Sequence, residues 1–403
     1  MKKLEKSVPI IRFKGFYEAW EQRKLRDIAN YRNGKAHEQV EDEDGKYTII
    51  NSKFISTNGK VQRYTNEQVE PIFDGEIAMV LSDLPNGKAL AKLFLVKEDG
   101  KYTLNQRIAG ITPNENIDPI FLNFRMNRNN YFLKFDSGVT QTNLSKSQVE
   151  NFIALYPTFD EQYKIGLFFT QLDDTIALHQ RKLDALKLMK KGLLQQMFPN
   201  NEEKVPRLRF ADFNEKWERC KISSFARNTY GGGTPKTNVP EYWQGRIPWI
   251  QSGDLLIDSL FNIIPKKHVT GSAVKSSATK CIPANSIAIV TRVGVGKLAF
   301  IPFEYTTSQD FLSLSNLRVD SNFGTYSIYI MLQRELNNIQ GSTIKGITKS
   351  DLLEKNINKP LNRIEQERIG VSLKLLDNII TLHQSKLEKL SSLKKVYLQR
   401  MFI

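Results

Sequence analysis

A segment of 39 residues that occurs twice constrains this chain of 403 residues more than any other feature. Residues 160–198 match residues 364–402 at a fixed offset of 204 positions, and both copies keep the same Glu-Gln, Leu-His-Gln and Met-Phe steps. A match of this length at one offset indicates an internal duplication. Within each copy, apolar residues recur at alternating spacings of four and three, which is the pattern of a coiled-coil helix. The sequence therefore predicts two long, equivalent helices.

Each predicted helix carries one apolar seam. The seam includes Ile165, Leu172, His179, Leu186 and Leu193 in the first copy and Ile369, Leu376, His383 and Leu390 in the second. A lysine, Lys190 or Lys394, interrupts each row at the equivalent position. A rod about 58 Å long with one apolar stripe needs a partner, and we expect the two copies to pair antiparallel. Such pairing about a pseudo-dyad predicts that the midpoint residues His179 and His383 lie close together. The alternative is that each histidine packs singly in its seam.

A second repeat precedes each globular region. Residues 8–29 match residues 205–226 at an offset of 197 and share a Phe-x-x-Phe motif followed by Trp20 or Trp217. We interpret this lead-in as a docking surface, and the alternative is that the tryptophan stacks on a nucleic-acid base.

The two repeats divide the chain into two halves of one plan. Residues 75–80 and 285–290 predict equivalent buried strands, and both globular regions predict mixed α/β structure. The predicted fold is two globular α/β domains separated by two long antiparallel coiled-coil helices, with a pseudo-two-fold internal repeat. The expected boundaries are 1–156 for the first domain with its lead-in, 157–199 for the central helix, 200–360 for the second domain with its lead-in, and 361–403 for the C-terminal helix.

The charge of the chain favours a polyanionic partner. The net charge is +15, and it is uneven: residues 30–156 carry 15 basic and 16 acidic side chains, whereas residues 227–359 carry 15 basic and 9 acidic. No apolar run approaches the roughly 18 residues of a membrane span, and the basic N-terminus leads into no long apolar core. The two cysteines form no disulfide framework, so we expect a cytoplasmic protein without a membrane partner.

The sequence shows no catalytic motif. The Gly-Val-Gly-Lys run at 294–297 is no Walker loop, because Thr291 and Leu298 occupy the positions of the first glycine and of the magnesium-binding Ser or Thr. The four histidines form no metal-ligand cluster, and no nucleophile elbow occurs. We therefore predict no catalytic residue, no metal site and no cofactor on this chain, and we interpret it as a binding protein.

A late loop rich in glycine, hydroxyl and amide side chains stands out in each globular region. These loops cover 138–146 and 341–349, and each leads into a short helix, predicted at 147–152 and 350–355. Such residues suit hydrogen bonding to phosphates or base edges. They also form turns and helix N-caps well, so both interpretations stay open.

Several motifs in a fixed order carry a resemblance to a known family. They are Gly232-Gly233-Thr234-Pro235, Ile247-Pro248-Trp249-Ile250, Ser252-Gly253-Asp254-Leu255, the run from Thr291 to Lys297, Gly341-Ser342-Thr343 with Ile347–Leu352, and Glu365-Gln366-Glu367-Arg368-Ile369. Together with the duplicated helix, this pattern resembles the specificity subunit of type I restriction–modification systems. The resemblance covers essentially the whole chain.

This resemblance implies a function and a set of partners. Two target-recognition domains would each read one half of a bipartite, asymmetric site in double-stranded DNA. The subunit would have no catalysis of its own. It would dock two modification subunits, which bind S-adenosylmethionine and methylate adenine at N6, and the ATP-dependent restriction subunits would join through them. A self-sufficient nuclease or methyltransferase is one alternative, and a coiled-coil scaffold with protein-binding modules is another.

The resemblance also implies DNA-contact residues. In the second domain these are Arg292, Lys297, Thr343 and Lys345, with Lys236 and Gln309 behind them. Arg292 is the candidate for a bidentate guanine contact, and a phosphate contact or a structural ion pair is its alternative. In the first domain, residues 82–88 replace the arginine-bearing turn, and the candidates carried over are Lys88, Thr140 and Gln141. Charge alone adds Arg32, Lys35 and Arg107.

Overall fold

The computed structural model describes residues 8–37, 39–85, 87–200, 202–338 and 346–402. The chain forms two compact units: unit 1 comprises Met1–Gln180 with Ser385–Ile403, and unit 2 comprises Arg181–Gln384. Each long helix contributes one part to each unit, and the predicted four-segment division of the chain stays a proposal. Among the described residues, no helix has the length and apolar character to cross a membrane.

Unit 1 consists mainly of short strands and short helices. Its strands are β1 (Glu21–Lys24), β2 (Ala29–Asn33), β3 (Tyr47–Ile50), β4 (Tyr64–Thr65), β5 (Pro71–Ile72), β6 (Ile77–Val80), β7 (Ser82–Asp83), β8 (Leu93–Leu95), β9 (Tyr102–Leu104), β10 (Ile108–Pro113), β11 (Thr142–Asn143) and β12 (Ile153–Tyr156). Its helices are α1 (Leu25–Ile28), α2 (Ser52–Ser56), α3 (Pro119–Met126), α4 (Asn130–Leu133), α5 (Lys146–Glu150) and the first part of α6 (Phe159–Gln196).

Unit 2 repeats this succession. Its strands are β13 (Glu218–Lys221), β14 (Ala226–Gly231), β15 (Ile247–Ile250), β16 (Lys267–Val269), β17 (Ser286–Val290), β18 (Leu298–Ile301), β19 (Thr306–Thr307), β20 (Phe311–Leu317) and β21 (Asn356–Lys359). Its helices are α7 (Gly271–Lys275), α8 (Ser321–Asn338), α9 (Lys349–Glu354) and the first part of α10 (Arg363–Met401), with 3-10 turns at Ile222–Phe225, Pro240–Trp243 and Ser252–Asp254. The last part of α6 also belongs to unit 2, and the last part of α10 belongs to unit 1.

The sheets of the two units share most of their strand pairings, and unit 1 adds β5 and the β7–β11 pair. An antiparallel sheet has the order β2-β10-β6-β8 in unit 1 and β14-β20-β17-β18 in unit 2. A second sheet, β4-β3-β9-β5 or β16-β15-β19, contains one parallel pair in each unit, β3 with β9 and β15 with β19. The pairs β1–β12 and β13–β21 complete the match. The duplication therefore extends through the globular regions, although their sequences share little.

The central strands β6 and β17 are buried on both faces. Ile77 and Met79 belong to the core that packs against the helices, whereas Ala78 and Val80 belong to the core between the two sheets. Strand β17 divides its side chains in the same way. Because both faces are covered, these strands have continuous apolar runs instead of alternation. The prediction of two equivalent buried strands is confirmed.

The long helices bury the predicted seam. All nine seam residues are buried or half-buried. In unit 1, Phe168 lies 5.1 Å from Tyr397 and Phe169 lies 5.7 Å from Phe402, measured between ring centroids. Asp173, further along α6, contacts Lys394, earlier in α10. The helices therefore run antiparallel in this unit. Because His179 belongs to unit 1 and His383 to unit 2, their proximity stays a prediction.

The lysines that interrupt the seam form two equivalent ion pairs. Lys190 contacts Asp377 at 2.6 Å in unit 2, and Lys394 contacts Asp173 at 2.5 Å in unit 1. Each pair joins the lysine of one copy to the aspartate of the other copy. Tyr326 of α8 adds a hydroxyl hydrogen bond of 2.6 Å to Asp377. Burial and the neighbouring Asp377 carboxylate raise the pKa of Tyr326 above its ordinary value.

The lead-in docks on the first turn of the long helix in both units. Arg12 donates two hydrogen bonds of 2.7 Å to Glu161, and Trp20 Nε1 donates to the same carboxylate at 3.3 Å. In unit 2 Arg209 and Trp217 bind Glu365 in the same way. Both indoles are almost fully buried, at 3% and 1% exposure. The docking interpretation is confirmed, and the base-stacking alternative for these tryptophans is wrong.

The glutamine that follows this glutamate, Gln162 or Gln366, joins the long helix to the globular core. Gln162 accepts the Asp118 amide at 3.1 Å, and Gln366 accepts the Asp320 amide at 2.9 Å. Asp118 and Asp320 in turn accept an amide from the first turn of α3 and α8, at 2.6 and 2.8 Å. The repeated Glu-Gln step thus holds the lead-in with its first residue and the globular helix with its second.

The two lysines of the seam predict unequal effects on stability. The Lys190 and Asp377 side chains are 11% and 17% exposed, whereas those of Lys394 and Asp173 are 25% and 40% exposed. Lys190→Met keeps the packed stem but leaves a buried carboxylate without its cation, so we expect it to lower the free energy of unfolding by about 3 kcal/mol. Lys394→Met is the matched control, with an expected loss below about 1 kcal/mol. Urea denaturation measures both losses, and equal losses would contradict the prediction.

Candidate nucleic-acid interface

Backbone hydrogen bonds gather separate segments of unit 2 where β17 ends. Thr291 donates its amide to the Asp310 carbonyl (2.7 Å), and its own carbonyl accepts the Ile347 amide (2.8 Å). The Gly233 amide donates to the Thr307 carbonyl (2.9 Å). Four segments therefore form one surface, called loop surface 2: residues 231–236, 291–297, 308–310 and 346–348.

Unit 1 repeats the same three hydrogen bonds with other residues. The Leu81 amide donates to the Arg107 carbonyl (3.0 Å), and the Leu81 carbonyl accepts the Leu144 amide (2.8 Å). The Lys35 amide donates to the Leu104 carbonyl (3.0 Å). The resulting loop surface 1 consists of residues 33–36, 81–85, 87–91, 105–107 and 138–144. Because only main-chain atoms make these bonds, the frame is independent of the side chains it displays.

Two glycines permit the closest approach within this frame. A Cβ atom on Gly34 would lie 2.1 Å from the Asn105 carbonyl oxygen, and one on Gly232 would lie 2.0 Å from the Ser308 carbonyl oxygen. No other residue fits at such distances. The two glycines occupy equivalent places, and each brings the end of its strand against the turn that carries Gln106 or Gln309.

The central turn differs in length between the two surfaces. The Val80 amide donates to the Lys92 carbonyl across the longer turn, and the Val290 amide donates to the Lys297 carbonyl across the shorter one. The Asp83 carboxylate organises the longer turn by accepting the amides of Leu84 (2.9 Å), Ala89 (2.6 Å) and Leu90 (3.1 Å). Residues 82–88 therefore stand where unit 2 has its arginine-bearing turn, as the sequence predicts.

Loop surface 2 contains four of the residues predicted for the second domain. Arg292 is exposed, and within the described chain its side chain forms no salt bridge. Gln309 is exposed and accepts a hydrogen bond of 2.6 Å from Thr234. Lys236 is exposed, whereas Lys297 donates to the Ser252 carbonyl at 3.2 Å and fixes the neighbouring 3-10 turn. Thr343 and Lys345 lie outside the described residues.

Loop surface 1 brings together five of the residues predicted for the first domain. Lys88, Arg107 and Thr140 are exposed. Gln141 donates to the Ser82 hydroxyl at 2.7 Å, which ties loop 138–144 to the central turn beside the β7–β11 pair. Lys35 lies 3.1 Å from Glu70, but its side chain remains 61% exposed and accessible.

Arg32, predicted from its charge to contact DNA, binds carboxylates within unit 1. Its guanidinium donates two hydrogen bonds of 2.6 Å to Glu76, one of 3.1 Å to Glu70 and one of 3.0 Å to the Pro71 carbonyl. The hydrogen bonds to Glu76 raise the pKa of Arg32 above its ordinary value. Burial pushes the pKa of Glu76 upward, but the bonds from Arg32, Thr112 and the Phe73 amide hold that pKa below its ordinary value. Arg32 is therefore a structural cation, because its donors are occupied within unit 1.

The short helices after the late loops are capped by the loops themselves. The Ser145 hydroxyl accepts the Gln148 amide at 3.3 Å, and the Thr348 hydroxyl accepts the Asp351 amide at 3.0 Å. Helices α5 and α9 begin at Lys146 and Lys349, one residue before the predicted starts. The N-cap interpretation is confirmed for Ser145 and Thr348, and DNA contact stays a prediction for Thr140 and Gln141 earlier in the first loop.

Gln106 is a candidate that the sequence-based prediction missed. It is exposed, and it precedes Arg107 as Gln309 precedes Asp310. The signal was present in the sequence, because the Tyr-Thr-x-x-Gln run at 102–106 recurs at 305–309. This repeat is short and falls between otherwise dissimilar stretches, so only the matched strands β9 and β19 make its meaning plain.

Comparisons with known proteins agree with this architecture. The family model of the type I restriction modification DNA specificity domain matches the chain twice, over residues 17–188 and 214–392. The chain belongs to this family, as a specificity subunit of a type I restriction–modification system. The resemblance found in the sequence is thereby confirmed.

Curated relatives include two specificity subunits. The putative type I restriction enzyme MjaX specificity subunit of Methanocaldococcus jannaschii is 22% identical over 401 residues, which cover 94% of this chain and 91% of the relative. The EcoR124I/EcoR124II specificity subunit of Escherichia coli is 35% identical over 175 residues, or 40% of each chain.

Solved structures share the fold. The S subunit of the M. genitalium type I system has a TM-score of 0.64 at 12% identity, covering 98% of this chain and 99% of that one. A chain from a structure on complex assembly and conformational transition of the type I R-M system has a TM-score of 0.55 at 16% identity, covering 96% and 98%. The predicted mixed α/β fold with two domains and an internal repeat is confirmed.

Arg292→Ala tests whether loop surface 2 reads bases. A bidentate guanine contact contributes about 1–3 kcal/mol of discrimination, so we expect relaxed specificity at one position of one half-site and no change in the other half-site. Arg318→Ala is the matched control, since Arg318 is exposed and follows the far end of β20, whose beginning pairs with Val290. Binding to a library of duplexes by the complex with its modification subunits measures the effect. Uniform weakening across all sequences would instead show a phosphate contact.

Proposed function

We propose that this chain is the non-catalytic subunit that reads a bipartite, asymmetric DNA site for a type I restriction–modification complex. One observation carries the proposal: the same backbone frame occurs in both units and displays different side chains. Loop surface 1 presents Lys88, Arg107 and Gln141, whereas loop surface 2 presents Arg292 and Gln309. Side chains of these types bind base edges and phosphates in DNA. One frame with two sets of side chains would read two different half-sites.

The duplicated helices support the docking of two identical modification subunits. Besides the buried seam, each helix carries a second apolar stripe that is exposed at equivalent positions. Its members are Leu167, Leu178 and Met189 in α6, and Val371, Leu382 and Leu393 in α10. Their spacing of 11 residues is close to three helical turns, so each set lies on one face. Exposed apolar side chains that recur at equivalent positions of both helices would suit two copies of one protein partner. Restriction subunits would join through the modification subunits.

The apolar stripes alone would also suit a coiled-coil scaffold with protein-binding modules. DNA binding separates the two functions, because phosphate contacts give an affinity that falls steeply with salt concentration, whereas protein docking generally does not. The assay includes the modification subunit. A purified chain that methylates or cuts DNA without partners would contradict both functions.

Exchange of one globular region tests whether each unit reads its own half-site. Replacing residues 30–156 with the corresponding region of another family member keeps the lead-in and the long helices. We expect the methylated sequence to change in one half-site only, because the second frame and its side chains are untouched. Methylome sequencing of a host that expresses the complete system measures the outcome. A change in both half-sites would contradict independent reading by the two units.

Two aspartate variants test the docking stripes. Leu178→Asp and Leu382→Asp each place a charge in one stripe. We expect each variant to weaken the binding of one modification subunit by at least about tenfold, and the double variant to weaken the binding of both. Native mass spectrometry counts the bound subunits. Ala177→Asp is the matched control, because Ala177 is exposed and lies about 100° around the helix from Leu178, away from the seam. Full assembly of the double variant would contradict docking on the stripes.

A further inference from the structure

A basic hollow opens on unit 2 beside the edge strand β16. It is open to solvent and has a volume of about 500 Å³, and its polar lining consists of Thr237, Gln244, Lys266, Lys267 and His268. None of the described residues that line it carries a carboxylate. Two ammonium groups with hydroxyl and amide donors beside them form a donor set that suits an oxyanion.

Two tryptophans attach the wall of this hollow to loop surface 2. Lys267 Nζ lies 5.5 Å from the ring of Trp243 and 5.7 Å from that of Trp249. The Trp243 Nε1 donates to the Lys236 carbonyl, and the Trp249 Nε1 donates to the Gly233 carbonyl, both at 3.1 Å. Because residues 231–236 belong to loop surface 2, the hollow continues that surface.

The equivalent position in unit 1 has a cation that is paired with a carboxylate. Strand β4 pairs with β3 as β16 pairs with β15, which makes Arg63 the counterpart of Lys267. Arg63 forms a salt bridge with Glu41 through contacts of 3.0 and 3.1 Å, although its side chain remains 61% exposed. In the part of unit 2 that the structure describes, neither Lys266 nor Lys267 forms a salt bridge. One frame therefore holds a paired cation in unit 1 and two unpaired cations in unit 2, and neighbouring like charges favour a bound anion.

We propose that this hollow binds a phosphodiester group of the DNA backbone that flanks the half-site read by unit 2. The proposal rests on the function above, in which DNA is the ligand of loop surface 2. A backbone contact carries no sequence information, but it adds affinity and fixes the register of the duplex. Unit 2 would thus contact the DNA backbone outside the bases that it reads, and unit 1 would have no equivalent phosphate contact at Arg63.

The double variant Lys266→Gln/Lys267→Gln in the complex with modification subunits tests the proposal. We expect about tenfold weaker binding to cognate and non-cognate duplexes alike, because a charge-assisted contact is lost without loss of base reading. The slope of log affinity against log salt should become shallower by about 1. The methylated sequence should not change. Unchanged affinity and slope, or altered specificity in one half-site, would overturn the proposal.

Arg63→Gln is the matched control at the equivalent position of unit 1. Because the Glu41 carboxylate pairs with this arginine, we expect its loss to change the salt slope less than the loss of the two lysines. A wild-type complex whose DNA affinity does not depend on salt would contradict the proposed function itself. A wild-type complex that binds with a steep slope, beside a double variant with the same slope, would contradict only the phosphate contact.

A second measurement separates DNA from free phosphate as the source of the anion. Trp243 is half-buried, whereas Trp20, Trp217 and Trp249 are buried, so acrylamide quenching of the isolated chain reports mainly on the hollow. We expect a duplex to protect Trp243 in the wild type and not in the double variant. Inorganic phosphate or ATP should give no protection at concentrations where the duplex does. Protection by inorganic phosphate or ATP, with no protection by the duplex, would overturn the proposal. A double variant that binds DNA normally but no longer binds a modification subunit would also overturn it.

Discussion

The buried carboxylate at the start of each long helix is the interaction on which the rest of each unit depends. Glu161 and Glu365 are 0% and 1% exposed, and each receives an arginine and an indole N–H from the lead-in. A carboxylate at such a site costs several kcal/mol unless it is fully paired, so helix and lead-in are stable only together. The adjacent glutamine binds the N-cap of α3 or α8. Two consecutive side chains thus fix the long helix to both the lead-in and the globular core.

The loop surfaces follow a different principle, in which the main chain supplies the fixed part. Amide-to-carbonyl bonds at Leu81 and Thr291 hold three segments of each unit together, and strands β6 and β17 are anchored by apolar packing on both faces. The main-chain bonds at Leu81 and Thr291 do not depend on side-chain identity, so the two units keep them with different residues. The turn after β6 even accommodates extra residues, because the Asp83 carboxylate replaces missing main-chain partners. The main chain therefore supplies the shared frame, and the side chains supply the differences between the two surfaces.

The sequence predicted the parts of this structure that depend on local periodicity. The seam spacing gives both long helices, and the apolar runs give β6 and β17, because those patterns follow directly from helix and strand geometry. Contacts between residues far apart in the chain were not predictable. Arg32 resembles a free basic residue until Glu76, 44 residues later, is seen to bind it. Lys190 breaks the seam pattern in the sequence, and only the pairing of the helices reveals Asp377 as its partner. Gln106 is recognised as the counterpart of Gln309 only because strands β9 and β19 occupy equivalent places.

The ion pairs of the seam have a consequence for how the chain assembles. Each copy of the helix carries both an aspartate and a lysine, Asp173 with Lys190 and Asp377 with Lys394, so every copy is complementary to every other copy, including its own duplicate in a second molecule. These charges distinguish antiparallel from parallel pairing but do not distinguish self from non-self. Covalent linkage favours pairing within one chain, because it raises the effective concentration of one copy near the other. During synthesis, however, the first helix is complete about 200 residues before its partner exists. Tethering therefore favours the intramolecular pair only after the second copy has been synthesised.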